Sequence, residues 1–129
     1  MAVSTEYREF VRELMAPFGR VQIRALFGGC GIYLDEIMFG LVFDEQIYLK
    51  ADDINRADFE AAGQPQFVYP LKAGATASMS YYLIPDSLYD DAEELSAWAA
   101  KAFAAAQRGA LKKVKNPQRK KSKSAVRKS

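Results

Sequence analysis

The chain has 129 residues, half of them hydrophobic, which is material for one packed domain and not for two. It holds one cysteine and no histidine, which excludes an internal disulfide framework, Ser-His-Asp triads and imidazole acid–base steps, and leaves the common zinc ligand sets incomplete. Its formal charge of +2 is divided: ten Lys or Arg and no acid from Arg108 onward, against 8 basic and 16 acidic residues before it, so the body is acidic and unsuited to holding nucleic acid.

In chain order, Tyr7, Phe10, Val11 and Leu14 recur at helical spacing behind a capping Ser4 or Thr5, predicting a short amphipathic helix that stops before Pro17. After Gly19 the period changes to two, with Val21, Ile23, Ala25 and Phe27 alternating with Gln22, Arg24 and Leu26 as in a strand. Ile32 to Leu34, Met38 to Phe43 and Gln46 to Lys50 continue as strands. The acidic pairs Asp35-Glu36 and Asp44-Glu45 stand between them at hairpin spacing, so an antiparallel meander is expected. Asp52 to Gly63 reads as a helix of about two turns, with a capping aspartate, an apolar set of Ile54, Phe59 and Ala62, and a glycine suited to a left-handed end. Gln66 to Tyr69 and Met79 to Ile84 are strand-like, joined by the small-residue loop Lys72 to Ser78. From about Ser87 or Asp90, acids precede a helical stripe of Leu95, Trp98, Ala99, Ala102, Phe103 and Ala106, with Gly109 as its expected stop. The order α-β-β-β-β-α-β-β-α predicts an α+β two-layer domain, an antiparallel sheet of five or six strands with helices packed on one face. The domain is expected to occupy residues 1–109. Residues 110–129 form a basic tail, disordered from about Lys112 because it has too little apolar surface to offset the entropy of ordering.

The stretch RALFGGCGIY, Arg24 to Tyr33, is the place to look for chemistry. A phosphate cradle needs a glycine loop that leads into a helix, whereas here GIYLDEIMF follows, so the glycines read as the turn or bulge of a hairpin. Cys30 is a candidate reactive thiol, but with no histidine and with Arg24 as the only cation near it in sequence, a small packed residue fits it better. The paired acids fall at turns and helix starts, where they solvate and cap. Tyr33, Tyr48, Tyr69, Tyr81 and Tyr82 form a candidate interaction surface if the sheet's second face is uncovered, although strand tyrosines also pack across sheets. Lys112, Lys113, Lys115, Arg119, Lys120, Lys121, Lys123, Arg127 and Lys128 are candidate contacts to DNA or RNA through counterion release, without sequence specificity.

Taken together, FGGCGIY at Phe27 to Tyr33, YLK at Tyr48 to Lys50, Phe59 with Gly63, FVY at Phe67 to Tyr69 and MSYY at Met79 to Tyr82 resemble the N-terminal domain of the TfoX (Sxy) family, bacterial regulators of competence genes. The resemblance runs from about Tyr7 to Gln107. It implies an α+β fold, no cofactor and no established catalytic residues. It also implies a role beside a second, helical domain in longer members, which act with the cyclic-AMP receptor protein; here Gln107 leads into the basic run. The expectation is therefore a non-catalytic regulatory or protein-interaction module, cytoplasmic and without a membrane span, that contacts a protein partner or a second copy of itself while the tail adds weak nucleic-acid affinity. The alternative is a small-ligand-binding or thiol-sensing domain with a pocket near the Phe27 to Tyr33 hairpin.

Overall fold

Ser4 begins the first helix by accepting a hydrogen bond from the Tyr7 amide at 3.1 Å, and α1 runs over Thr5–Met15. A computed structural model describes residues 3–26 and 28–115. Val11, Leu14 and Met15 are the buried residues of α1 and Tyr7 packs against the same core, so Val11 and Leu14 lie on the face that the spacing predicts, while Phe10 stays 37% exposed and Met15 takes its place.

Four strands then follow in a meander: β1 (Gln22–Leu26), β2 (Gly29–Leu34), β3 (Ile37–Phe43) and β4 (Gln46–Lys50). The helix α2 (Arg56–Ala61) leads to β5 (Gln66–Pro70), a 3-10 turn at Lys72–Gly74 and β6 (Thr76–Leu83). Every pairing is antiparallel and the sheet order is β1-β2-β3-β4-β6-β5, so β6 lies between β4 and β5, and β1 and β5 are the edges. This is the α+β architecture and element order that the sequence predicts.

Alternation in the strands sorts the two faces. The larger core joins Ile23, Ile32, Phe39, Val42, Ile47 and Leu49 to Val11, Met15, Leu95, Ala99 and Ala102 of the helices. Two aromatic groups hold the layers together. Phe39 meets Phe18 and Phe103 at 5.3 and 5.7 Å, and Phe59 of α2 stacks on Tyr82 at 5.3 Å and meets Trp98 edge-on at 5.0 Å. A bulge at Phe39, where Ile32 pairs with Gly40 and Tyr33 with Met38, shifts the phase of β3 by one. Phe39 and Val42 can therefore both belong to the helix-side core, while Leu41 joins a separate cluster on the other face.

Three details differ from the sequence expectation. Strand β2 begins at Gly29, so Cys30 and Gly31 lie in the strand and Gly28, at φ 83°, stands in the turn before it; Phe27, expected on the apolar side of the first strand, lies outside the described residues. The helix cap before α2 is Asn55, and Ile54 stands 70% exposed instead of packing with Phe59. The last helix, α3, starts at Ala92 after a 3-10 turn at Asp86–Asp90 and continues through Gly109 to Lys115. Asp91 Oδ1 caps it by accepting from the Glu94 amide at 3.1 Å. Gly109 therefore does not end the helix, and Lys112, the expected onset of disorder, is helical; lysines and alanines favour helix and carry the pattern across a single glycine. Among the described residues no helix is long and apolar enough to cross a membrane.

Candidate functional site

The sheet face away from the helices carries its own cluster, built on Leu41, Phe67 and Tyr81. Phe43 of β3 meets Phe67 and Tyr69 of β5 at 5.4 and 6.2 Å, although β4 and β6 stand between those strands in the sheet. The sheet curls about this cluster without closing, and its aromatic side chains fill the concave face. Tyr81 is 6% exposed, and burial, with the Tyr33 phenol near it, pushes its pKa up to about 12. Tyr48 is also raised by burial, then by Asp44. Two cations lie over rings here, the Arg24 guanidinium 4.5 Å from the centre of Tyr33 and Lys50 Nζ 5.2 Å from that of Tyr81. Arg24 is also bonded to Gln22 at 2.6 Å and paired with Glu36 at 3.1 Å.

The predicted tyrosines thus divide. Tyr33, Tyr48 and Tyr69 are half-buried at the rim of the concave face, and Tyr81 is inside it. Tyr82 does not belong to this face: it points into the helix-side core and stacks on Phe59, because neighbouring strand residues alternate. Cys30 is 1% exposed and belongs to the helix-side core, which removes the accessible thiol that a sensing role requires. Cys30 also lines a small cavity with Leu26, Phe43 and Phe67, which holds about 10 Å³, room for at most one water. Of the basic candidates, Lys112 is exposed on α3, and Lys113 and Lys115 lie on the same helix. Arg119, Lys120, Lys121, Lys123, Arg127 and Lys128 lie outside the described residues.

A second feature lies at the end of β4. Asn55, 3% exposed, accepts from the Asp52 amide at 2.8 Å and donates to the Lys50 carbonyl at 3.0 Å, which fixes the turn between β4 and α2. The turn presents Asp52, whose carboxylate accepts from the Ile54 amide at 3.0 Å and from Arg108 of α3, Nε to Oδ2 at 2.7 Å and Nη2 to Oδ1 at 3.0 Å. The Arg108 hydrogen bonds hold the Asp52 carboxyl at a pKa of about 2. Between this turn and α3 opens a cleft of about 440 Å³, with Ala105 and Gly109 in its wall and Lys50, Arg56, Arg108 and Lys112 around it. Sequence reasoning missed it, having read Asp52 as a helix cap and Arg108 as the first cation of a tail. The available signal was the recurrence of Lys101, Ala105, Arg108 and Lys112 at helical spacing across Gly109. Among the described residues no group of three or more side chains is placed to hold a metal.

The family model described as the TfoX N-terminal domain matches residues 13–106, from the last turn of α1 into α3. The chain belongs to the TfoX N-terminal domain family. It is 28% identical over 78 residues to Protein Sxy of Escherichia coli, covering 60% of this chain and 37% of that protein. It is 33% identical over 73 residues to the DNA transformation protein TfoX1 of Aliivibrio fischeri, covering 57% of this chain and 32% of the relative. An uncharacterised 12.7 kDa protein in the trpE 5′ region of Spirochaeta aurantia matches at 33% over 70 residues, 54% of this chain and 58% of its own. The chain thus spans about a third of the length of the Sxy and TfoX1 proteins it matches. Within this TfoX N-terminal domain the glycine hairpin and the tyrosines Tyr48, Tyr69 and Tyr81 belong to the frame of the curled sheet.

Proposed function

We propose that this TfoX N-terminal domain is a regulatory protein-interaction module, non-catalytic, that serves expression of competence genes and binds a protein partner or a second copy of itself. What carries the reading is the concave sheet face: among the described residues no helix contributes to its cluster, and Tyr33, Tyr48 and Tyr69 stand half-exposed at its rim beside Arg24 and Lys50. Rigid aromatic rings with adjacent cations are what protein contact surfaces concentrate. The relation to competence is supported by family membership and by the printed name of the Aliivibrio fischeri relative, a DNA transformation protein. The basic residues from Arg108 onward add a sequence-independent attraction to nucleic acid, while the acidic body repels it.

The test has two arms. The Tyr33→Ser, Tyr48→Ser double variant is expected to lose self-association in sedimentation, or partner capture from native lysate, while keeping its fold by circular dichroism. A chain ended after Lys115, so that α3 stays whole, is expected to lose DNA affinity, whose logarithm in the full chain falls linearly with the logarithm of salt. Equal partner binding by the tyrosine variant sinks the first part, and equal DNA binding by the shortened chain sinks the second.

A further inference from the structure

The cleft between the β4–α2 turn and α3 is unused by that reading, and three observations bear on what it holds. First, it gathers charge against the trend of the domain. Three cations, Arg56, Arg108 and Lys112, face two carboxylates, Asp52 and Asp53, in a body where acids outnumber bases two to one. Both carboxylates are engaged, Asp53 by Arg56 at 2.8 Å and Asp52 by Arg108. Second, Arg108 is oriented before any ligand arrives. Asp52 takes two of its five N–H groups, and Asn55 and the Ile54 amide hold Asp52 in turn, so the remaining donors of the guanidinium are fixed at the cleft. Third, α3 has a glycine where the helix gains nothing from one. A Cβ at Gly109 would meet no atom within 4 Å and its φ is not left-handed, so neither packing nor backbone conformation requires glycine, yet glycine is poor in a helix interior. Its effect is to leave the wall of the cleft bare beside Arg108.

We infer that this cleft binds a small organic phosphate, with the phosphate on Arg108 between the side chains of Arg56 and Lys112, and the organic part against Ala105, Gly109 and the exposed Ile54. The volume of about 440 Å³ lies within the range of small-molecule sites, roughly 300–1,000 Å³. A phosphate suits the site better than a carboxylate because donors approach from α3 and from Arg56 at the start of α2, matching a tetrahedral, doubly charged group instead of a planar one. Ile54, 70% exposed at the mouth, gains burial only when something apolar covers it.

The experiment uses the full chain at low salt and three probes that share a ring: phenyl phosphate, benzoate and phenol, followed by ligand-observed NMR and thermal shift. Phenyl phosphate is expected to bind and raise the melting temperature; benzoate and phenol are not. Gly109→Leu fills the wall while improving helix propensity, so its own melting temperature is expected to equal or exceed that of the parent while phenyl phosphate affinity falls about tenfold or more. Lys112→Gln, an exposed change, weakens binding with the fold intact. The inference is overturned if phenyl phosphate fails to bind at millimolar concentration, or if benzoate or phenol binds as well. It is also overturned if Gly109→Leu binds like the parent, the result expected of an anion held by the basic run beyond α3. None of these outcomes bears on the tyrosine rim, so the two proposals fail separately.

Discussion

Arg108 of α3 and Asp52 of the β4–α2 turn, 56 positions apart in sequence, are joined by two hydrogen bonds, at 2.7 and 3.0 Å. The Asp52 carboxyl falls from its ordinary 3.8 to about 2, first through the Arg108 hydrogen bond and then through the Ile54 amide, against the opposing effect of burial. Between those two values the folded chain binds fewer protons than the unfolded one. The contribution to stability is therefore complete above about pH 4 and is lost as pH falls to about 2. Asp52→Asn is expected to cost about 1 kcal/mol at pH 7, a modest figure because the pair is partly exposed. Urea unfolding of both chains from pH 7 downward checks this: the curves should converge near pH 2. A gap of constant size would show that the carboxylate charge is not what stabilises.

The turn between β3 and β4 places Asp44 and Glu45 at φ 53° and 56°, the left-handed pair that a type I′ hairpin demands and that side chains resist. Asn and Gly adopt this geometry more readily. The double change Asp44→Asn, Glu45→Gly should raise stability by about 1–2 kcal/mol. The Tyr7 hydroxyl donates to the Glu45 carbonyl at 2.7 Å, a backbone contact that the change preserves. An unchanged urea midpoint would mean that the acidic side chains offset the strain, for instance by repelling other sheet edges.

Periodicity was sufficient for the element order, since strand alternation and the α3 stripe are each set by one buried face. What it missed depends on contacts distant in sequence. The phase shift at Phe39 exists because β3 must serve two cores, and nothing in IMFGLVF marks the extra residue. Tyr82 is a core residue and Tyr81 a member of the opposite face, a distinction of register that a run of two tyrosines leaves open. Ile54 completes a helical spacing yet lies before α2 begins, because Asn55 uses its side chain to close the turn. Gly109 looked like a helix end because glycine usually is one, and only the Asp52–Arg108 pair and the cleft give it another place.

The glycines of FGGCGIY have different jobs, and this is measurable. A Cβ on Gly29 would stand 2.2 Å from the Val42 carbonyl oxygen, part of the backbone of β3, so Gly29→Ala must move a strand. A Cβ on Gly31 would meet Met38 Sδ at 2.7 Å and Tyr33 Cε1 at 2.9 Å, the far ends of side chains that can swing away. Gly29→Ala should therefore cost about 3 kcal/mol and Gly31→Ala about 1 kcal/mol or less. Equal losses in denaturant would show that the hairpin moves as one rigid unit.

Tyr81 gives the concave face a signature in alkali. Its phenol is buried and titrates at about 12 in the folded chain against an ordinary 10.0, so the folded state holds its proton where the unfolded state has lost it. The resulting stability is complete below about pH 10 and is lost as the pH rises toward 12. Tyr81→Phe keeps the ring beneath Lys50 and removes the titrating group. At pH 7 it should be within about 1 kcal/mol of the parent. Between pH 10 and 12 its stability should decline less steeply, and the late tyrosinate absorbance step of the parent should shrink. A parent in which every tyrosine titrates near 10 would mean that water reaches the cluster, and the curled sheet would then lack the dry second core on which the rim of Tyr33, Tyr48 and Tyr69 is built.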